Sequence, residues 1–154
     1  MMQDKKKFYI NGKWVEPKKK NDFNVINPST EESCAVISLG SAEDINTAVA
    51  AAKKAFESWA FTSKEERIKL LESLYSLYKK RWAEMAEAIS LEMGAPIDFS
   101  TQLQAGTGAS HIKSYIKVLK DYKFEKILGD HAPNNKILYE PKGCLLYTSP
   151  SPRD

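Results

Sequence analysis

Ala35-Val36-Ile37-Ser38-Leu39-Gly40-Ser41-Ala42-Glu43-Asp44-Ile45-Asn46-Thr47-Ala48-Val49 is the stretch in which the hydrophobic pattern changes its period. Up to Leu39 it is a short run rich in aliphatic residues, ended by Gly40, which reads as a strand. Ser41 followed three residues later by Asp44 has the form of a capping box at a helix start. Beyond it Ile45, Ala48, Val49, Ala52 and Phe56 lay one apolar face along a helix. A strand passing straight into an amphipathic helix predicts a mixed α/β chain.

Upstream, Phe8-Tyr9-Ile10 and Lys13-Trp14-Val15 flank Asn11-Gly12, a two-residue turn that favours positive φ, so a β-hairpin is predicted. Phe23 to Asn27 reads as extended, closed by Asn27-Pro28 because the residue before proline is pushed away from helix. Downstream, Thr62-Ser63 with Glu66 starts a second helix, whose Ile68, Leu71, Tyr75, Tyr78, Trp82, Met85 and Ile89 step by three and four. A break near Arg81 is expected, and Gly94 with Pro96 behind it ends the pattern. A third helix is expected from about Ile97 to Lys120, with Leu103, Ile112, Ile116 and Leu119 on its buried side and a middle weakened by Gly106 and Gly108. Tyr122 to Ile127 and Lys136 to Tyr139 then predict a second hairpin with a polar tip.

With 154 residues, 42% of them hydrophobic and 28% charged, the chain is long enough for one domain and too apolar for disorder. The start Met1-Met2-Gln3-Asp4-Lys5-Lys6-Lys7 lacks the apolar stretch of a secretory signal. Every apolar run is far short of the roughly 20 residues that cross a bilayer, so a cytoplasmic protein without a membrane partner is expected. Cys34 and Cys144 lie far apart with no Cys-x-x-Cys, which predicts neither a disulfide framework nor a zinc site. The net charge of +3 comes from scattered lysines and brings no recognised nucleic-acid module, so no nucleic-acid partner is expected.

The order of these pieces, with their particular words, resembles the start of the aldehyde dehydrogenase superfamily. The words are Phe8-Tyr9-Ile10-Asn11-Gly12-Lys13-Trp14-Val15, Asn27-Pro28-Ser29-Thr30-Glu31, the helix from Asp44 to Trp59, Ser63-Lys64-Glu65-Glu66-Arg67, Leu91-Glu92-Met93-Gly94-Ala95-Pro96 and Tyr139-Glu140-Pro141-Lys142-Gly143. The resemblance implies the N-terminal portion of a Rossmann-type cofactor-binding domain, built of β-hairpins and three or four helices. It covers residues 8–143 and implies a partial domain over 1–143, in which the hairpin at about 122–139 resembles the arm that pairs with a neighbouring subunit in a homo-oligomer.

After Gly143 the family's pattern stops. Residues 144–154 can be spelled, without a mismatch, by the transposase adapter of common sequencing libraries, so this tail is expected to be foreign to the protein.

The activity implied by the resemblance is oxidation of an aldehyde to a carboxylic acid with NAD or NADP. A cysteine nucleophile forms a thiohemiacetal, hydride passes to the nicotinamide, and a glutamate activates water against the thioester. In the family these residues follow the segment matched here, so the expected catalytic, cofactor-binding and metal residues of this chain are none, and the chain alone is expected to be inactive. Cys34 is expected to pack in the core, and His111 and His131 to serve no catalytic role. Gly106-Thr107-Gly108 lacks the third glycine and the preceding strand of a dinucleotide fingerprint. Some family members hold a structural monovalent cation at the places of the Ile26 carbonyl and Glu92, a poor cage by themselves. The alternative is a stand-alone α+β interaction module that offers its second hairpin for strand addition.

Overall fold

The computed structural model describes residues 5–143. Strands β1 (Phe8–Ile10) and β2 (Lys13–Val15) form the first antiparallel ribbon. Asn11 and Gly12 between them have φ of 52° and 76°, the positive values that let a two-residue turn follow the strands' twist. Strands β3 (Asp22–Ile26) and β4 (Ser33–Ser38) form the second, with Phe23 opposite Ile37 and a register shift at Val25/Ile26. Their turn is built by Asn27, whose Oδ1 accepts from the Ser29 amide at 2.9 Å while its carbonyl accepts from the Glu31 amide at 2.8 Å. The other edge of β4 takes Lys5 in a parallel bridge at Ile37.

Helix α1 (Ala42–Trp59) begins at the capping box that the sequence shows. Asp44 does more than cap: Oδ2 accepts from the Ser41 amide at 2.9 Å and its hydroxyl at 2.6 Å, and Oδ1 accepts from the Lys18 amide at 2.9 Å. The loop after β2 is thereby tied to the start of α1. These donors hold the carboxyl below the ordinary aspartate range, the Ser41 hydroxyl most, then the Lys18 and Ser41 amides.

Helix α2 (Lys64–Lys80) starts at a second capping box, Ser63 with Glu66. The break expected near Arg81 is there: Arg81 has φ −104° and separates α2 from α3 (Trp82–Met93). Gly94 ends α3 in the left-handed conformation, φ 70°, as a glycine at this position can without strain. It is also a contact, since a Cβ there would lie 2.9 Å from Pro28 Cγ and 3.1 Å from the Ser29 nitrogen. The end of α3 and the β3–β4 turn fit only because Gly94 has no side chain.

The third expected helix is one rod with a defect. One short turn, α4 (Ile97–Phe99), runs into a π-turn at Ser100–Gln104 and then α5 (Ala105–Asp121). Gly106 and Gly108, expected to weaken the helix, lie in regular α structure; the irregularity precedes them. Leu103, expected on the buried side, is 57% exposed. It lies two residues before buried Ala105 and so about 200° round the helix from it. Strands β5 (Glu125–Ile127) and β6 (Lys136–Leu138) form the second hairpin, shorter than the sequence suggests, with Lys126 opposite Ile137.

Helix α2 packs along α5, and α3 packs on the π-turn. The buried apolar side chains of the described residues are small: Ala35, Ala86, Ala105 and Ala109. The large apolar residues are half-buried or exposed, Trp14, Phe61 and Tyr115 among the exposed ones.

Two outcomes test these joints. Gly94→Ala should cost at least about 1–2 kcal/mol for the left-handed backbone alone, with the Pro28 clash in addition, read as a lower urea midpoint. Asp44 is more acidic in the native state than its ordinary value of 3.8, so it stabilises the fold above that value. The contribution is lost as pH falls through the lower native value. Asp44→Asn should therefore be less stable than the parent at neutral pH, and the gap should close on acidification below pH 3.8.

Candidate functional site

The candidate reactive residues do not converge. Cys34 lies on β4, half-buried, with Sγ 3.4 Å from the Val25 carbonyl oxygen across the ribbon. It is a partly covered strand residue, less enclosed than a core position. His111 is exposed on α5 and His131 is exposed in the hairpin tip. Among the described residues no group of three or more His, Cys, Asp or Glu is placed to hold a metal ion. Ile26 ends β3 and Glu92 is exposed on the last turn of α3; their elements meet at the contact of Gly94 with Pro28.

Gly106-Thr107-Gly108 has a packing role. A Cβ on Gly108 would fall 2.5 Å from the Tyr78 hydroxyl, which donates to the Ala105 carbonyl at 3.0 Å. Thr107 Oγ1 donates to the Leu103 carbonyl at 2.9 Å within the helix. The segment is a notch that admits Tyr78, with its amides engaged as helix, so it does not fit a pyrophosphate.

What the fold builds instead is a surface. The β5–β6 ribbon has two strands and exposes Ile127 and Leu138, each 59% accessible. A ribbon of two strands is marginal in water and gains stability from a further strand or a covering face. Its own ties are the Glu125–Lys136 ion pair and a rung in which the Tyr139 amide donates to the Phe124 carbonyl at 2.8 Å. Tyr122 stacks edge-on against Phe124 at 4.9 Å and Tyr139 at 5.8 Å. The Lys126 ammonium stands 5.3 Å over the Tyr139 ring.

Between this aromatic cluster and the helices runs a groove of about 570 Å³, lined by Leu71, Tyr115, Val118 and Leu119 on the apolar side and by Lys64 and Arg67 at the polar end. Arg67 is fixed there by what it caps. Its Nε donates to Thr62 Oγ1 at 2.9 Å, its Nη2 donates to the carbonyls of Trp59 and Ala60 at 3.1 and 3.3 Å, and its guanidinium lies over the Trp59 ring. The Ala60 carbonyl just past α1 is thus met from the first turn of α2, and the Trp59 carbonyl, which also accepts from the Thr62 amide and hydroxyl, gains a further donor. Nothing in the local pattern signals this role, because it depends on how the two helices turn relative to each other.

Strand ribbons clipped to a helical layer beside an open groove define part of an α/β protein. The profile of the Aldehyde dehydrogenase family matches residues 14–150, and the chain belongs to that family. A 3-succinoylsemialdehyde-pyridine dehydrogenase of a Pseudomonas species is 42% identical over 149 residues, which are 96% of this chain and 30% of that protein. The crystal structure of an aldehyde dehydrogenase from Bartonella henselae is 50% identical, with a TM-score of 0.81 over 84% of this chain and 27% of that one. Aldehyde dehydrogenase C of Pseudomonas syringae, a cysteine-to-alanine mutant complexed with NAD+ and octanal, is 40% identical, with a TM-score of 0.77 over 80% of this chain and 26% of that one. The fold is the N-terminal part of the aldehyde dehydrogenase fold, and the chain spans less than a third of the length of these relatives.

If the exposed Ile127 and Leu138 limit the chain's solubility, Ile127→Glu with Leu138→Lys, which set opposite charges across from Lys136 and Glu125, should raise the soluble fraction while shifting the thermal midpoint little. Sedimentation and circular dichroism of the double variant check both halves.

Proposed function

We propose that this chain is the N-terminal portion of an NAD(P)-dependent aldehyde dehydrogenase that oxidises an aldehyde to a carboxylic acid. The observation that carries the reading is the close match to aldehyde dehydrogenases over nearly the whole chain and under a third of each relative. NAD or NADP as the cofactor is supported by the NAD+ held in the Pseudomonas syringae structure.

The described residues supply scaffold. Gly106-Thr107-Gly108 is closed by Tyr78 and takes no dinucleotide. In this reading the nicotinamide contacts and the cysteine chemistry are assigned, as the family resemblance implies, to other parts of the parent enzyme. Helices α2 and α5 and the aromatic groove are surfaces that the remainder of such a domain, a Rossmann-type sheet, would cover. The β5–β6 ribbon is the arm for a neighbouring subunit in a homo-oligomer, supported by its exposed Ile127 and Leu138, which share one face with the Glu125–Lys136 ion pair.

Residues 1–143 form the partial domain in this reading, and 144–154 a foreign tail. That tail lies outside the described residues, and the family match itself runs to residue 150, so the DNA is the deciding measurement. Amplifying the source DNA across codon 143 should show the frame continuing into a longer dehydrogenase. Finding the same codons and a stop in genomic DNA would end the fragment reading.

The chain by itself should turn over no NAD+ or NADP+ with acetaldehyde above a blank. Activity abolished by Cys34→Ala would overturn the assignment of chemistry to the absent portion.

A further inference from the structure

The rod from α4 to α5 contains one residue more than an α-helix would hold, and the structure shows what keeps it there. The Ala105 amide donates to the carbonyl of Ser100, five residues back, where an α-helix would use Thr101. The carbonyl passed over, that of Thr101, accepts from the indole N–H of Trp82 at 3.0 Å. One turn away the Tyr78 hydroxyl donates to the Ala105 carbonyl at 3.0 Å, and the two rings meet edge to face at 6.0 Å. The consequence is a change of phase. In an unbroken α-helix a residue five before Ala105 lies about 140° from it, yet Ser100, Ala105 and Ala109 are all buried.

We infer that the Ser100–Gln104 turn is a two-register element, and that Trp82 is the latch that holds it in the π register. With the indole bond made, the extra residue stays in the turn and Ser100 is drawn in against α3. With the bond broken, the orphaned Thr101 carbonyl is best satisfied by an amide of its own rod, which feeds one residue onward and turns α4 by about 100°. That rotation re-aims Ile97 and Phe99, both exposed in the π register, so the latch sets the apolar pattern at this end of the molecule. Ser100 carries the mark of a forced fit. Its hydroxyl is fully buried with no hydrogen-bond partner, as expected when register rather than side-chain chemistry decides what is enclosed.

The test is a double-mutant cycle on the full chain, combining Trp82→Phe with deletion of Gln102. Deletion removes the extra residue, so the Gly106 amide can reach the Thr101 carbonyl in ordinary α geometry. Trp82→Phe should raise the unfolding equilibrium constant about tenfold in the parent, from the orphaned carbonyl, and much less in the deletion chain. An equal effect in both would overturn the inference, because loss of indole packing is common to the two. Should the deletion chain not fold, exchange of the three indole protons in the parent decides. Trp82 should exchange at least about tenfold more slowly than Trp14 and Trp59, which are 64% and 47% exposed and have no latch to break. Equal rates would reject the latch.

Discussion

Close approach of α3 to the rod of α4, the π-turn and α5 is the constraint on which the helical layer depends. Helices can come near only where side chains are small, and the buried residues of α3, the π-turn and α5 are Ala86, Ser100, Ala105 and Ala109, with α2 packed along α5 as well. Each small residue contributes little apolar area, so the layer relies on backbone proximity, on ring edges and on side-chain bonds to carbonyls. Tyr78 and Trp82 supply the last two together, reaching from α2 and α3 to the Ala105 and Thr101 carbonyls.

The strand ribbons are attached to this layer at two points of different character. At Asp44 the attachment is polar, a carboxylate shared between its own helix cap and the Lys18 amide of the preceding loop. At Gly94 it is steric, a helix end that admits Pro28 and Ser29 because no Cβ stands in the way. The two joints restrain opposite ends of the β3–β4 ribbon's path, which is why a chain without large enclosed side chains still has a defined arrangement.

Much of this was legible from local pattern. Both capping boxes, the Asn11-Gly12 turn, the break at Arg81 and the Gly94 stop follow from rules that act within four residues, and all appear where the sequence puts them. The π-turn was not, because Gly106-Thr107-Gly108 drew attention to the wrong place, and the real signal is the five-residue step from Ser100 to Ala105. Leu103 lies about 180° round an α-helix from Ile112, which places it on the exposed side. Family membership was legible because the words that carry it are joints, Asn27-Pro28 and Gly94 among them. Arg67 at the end of α1 was not, since its partners are three carbonyl and hydroxyl groups whose direction only the folded chain defines.

Phe61, at the turn between α1 and α2, is 87% exposed. In a parent as long as its relatives, every copy on the ribosome passes through a stage in which about this much has emerged. On the proposed reading, Phe61, the aromatic groove and the exposed Ile127 and Leu138 would stand open together at that stage, before any later segment could cover them. The N-terminal portion can lock its caps and turns early, being local, but has to wait for enclosure. The interval between the two is when a holdase chaperone has a surface to grip and when neighbouring nascent chains can pair wrongly through their hairpins.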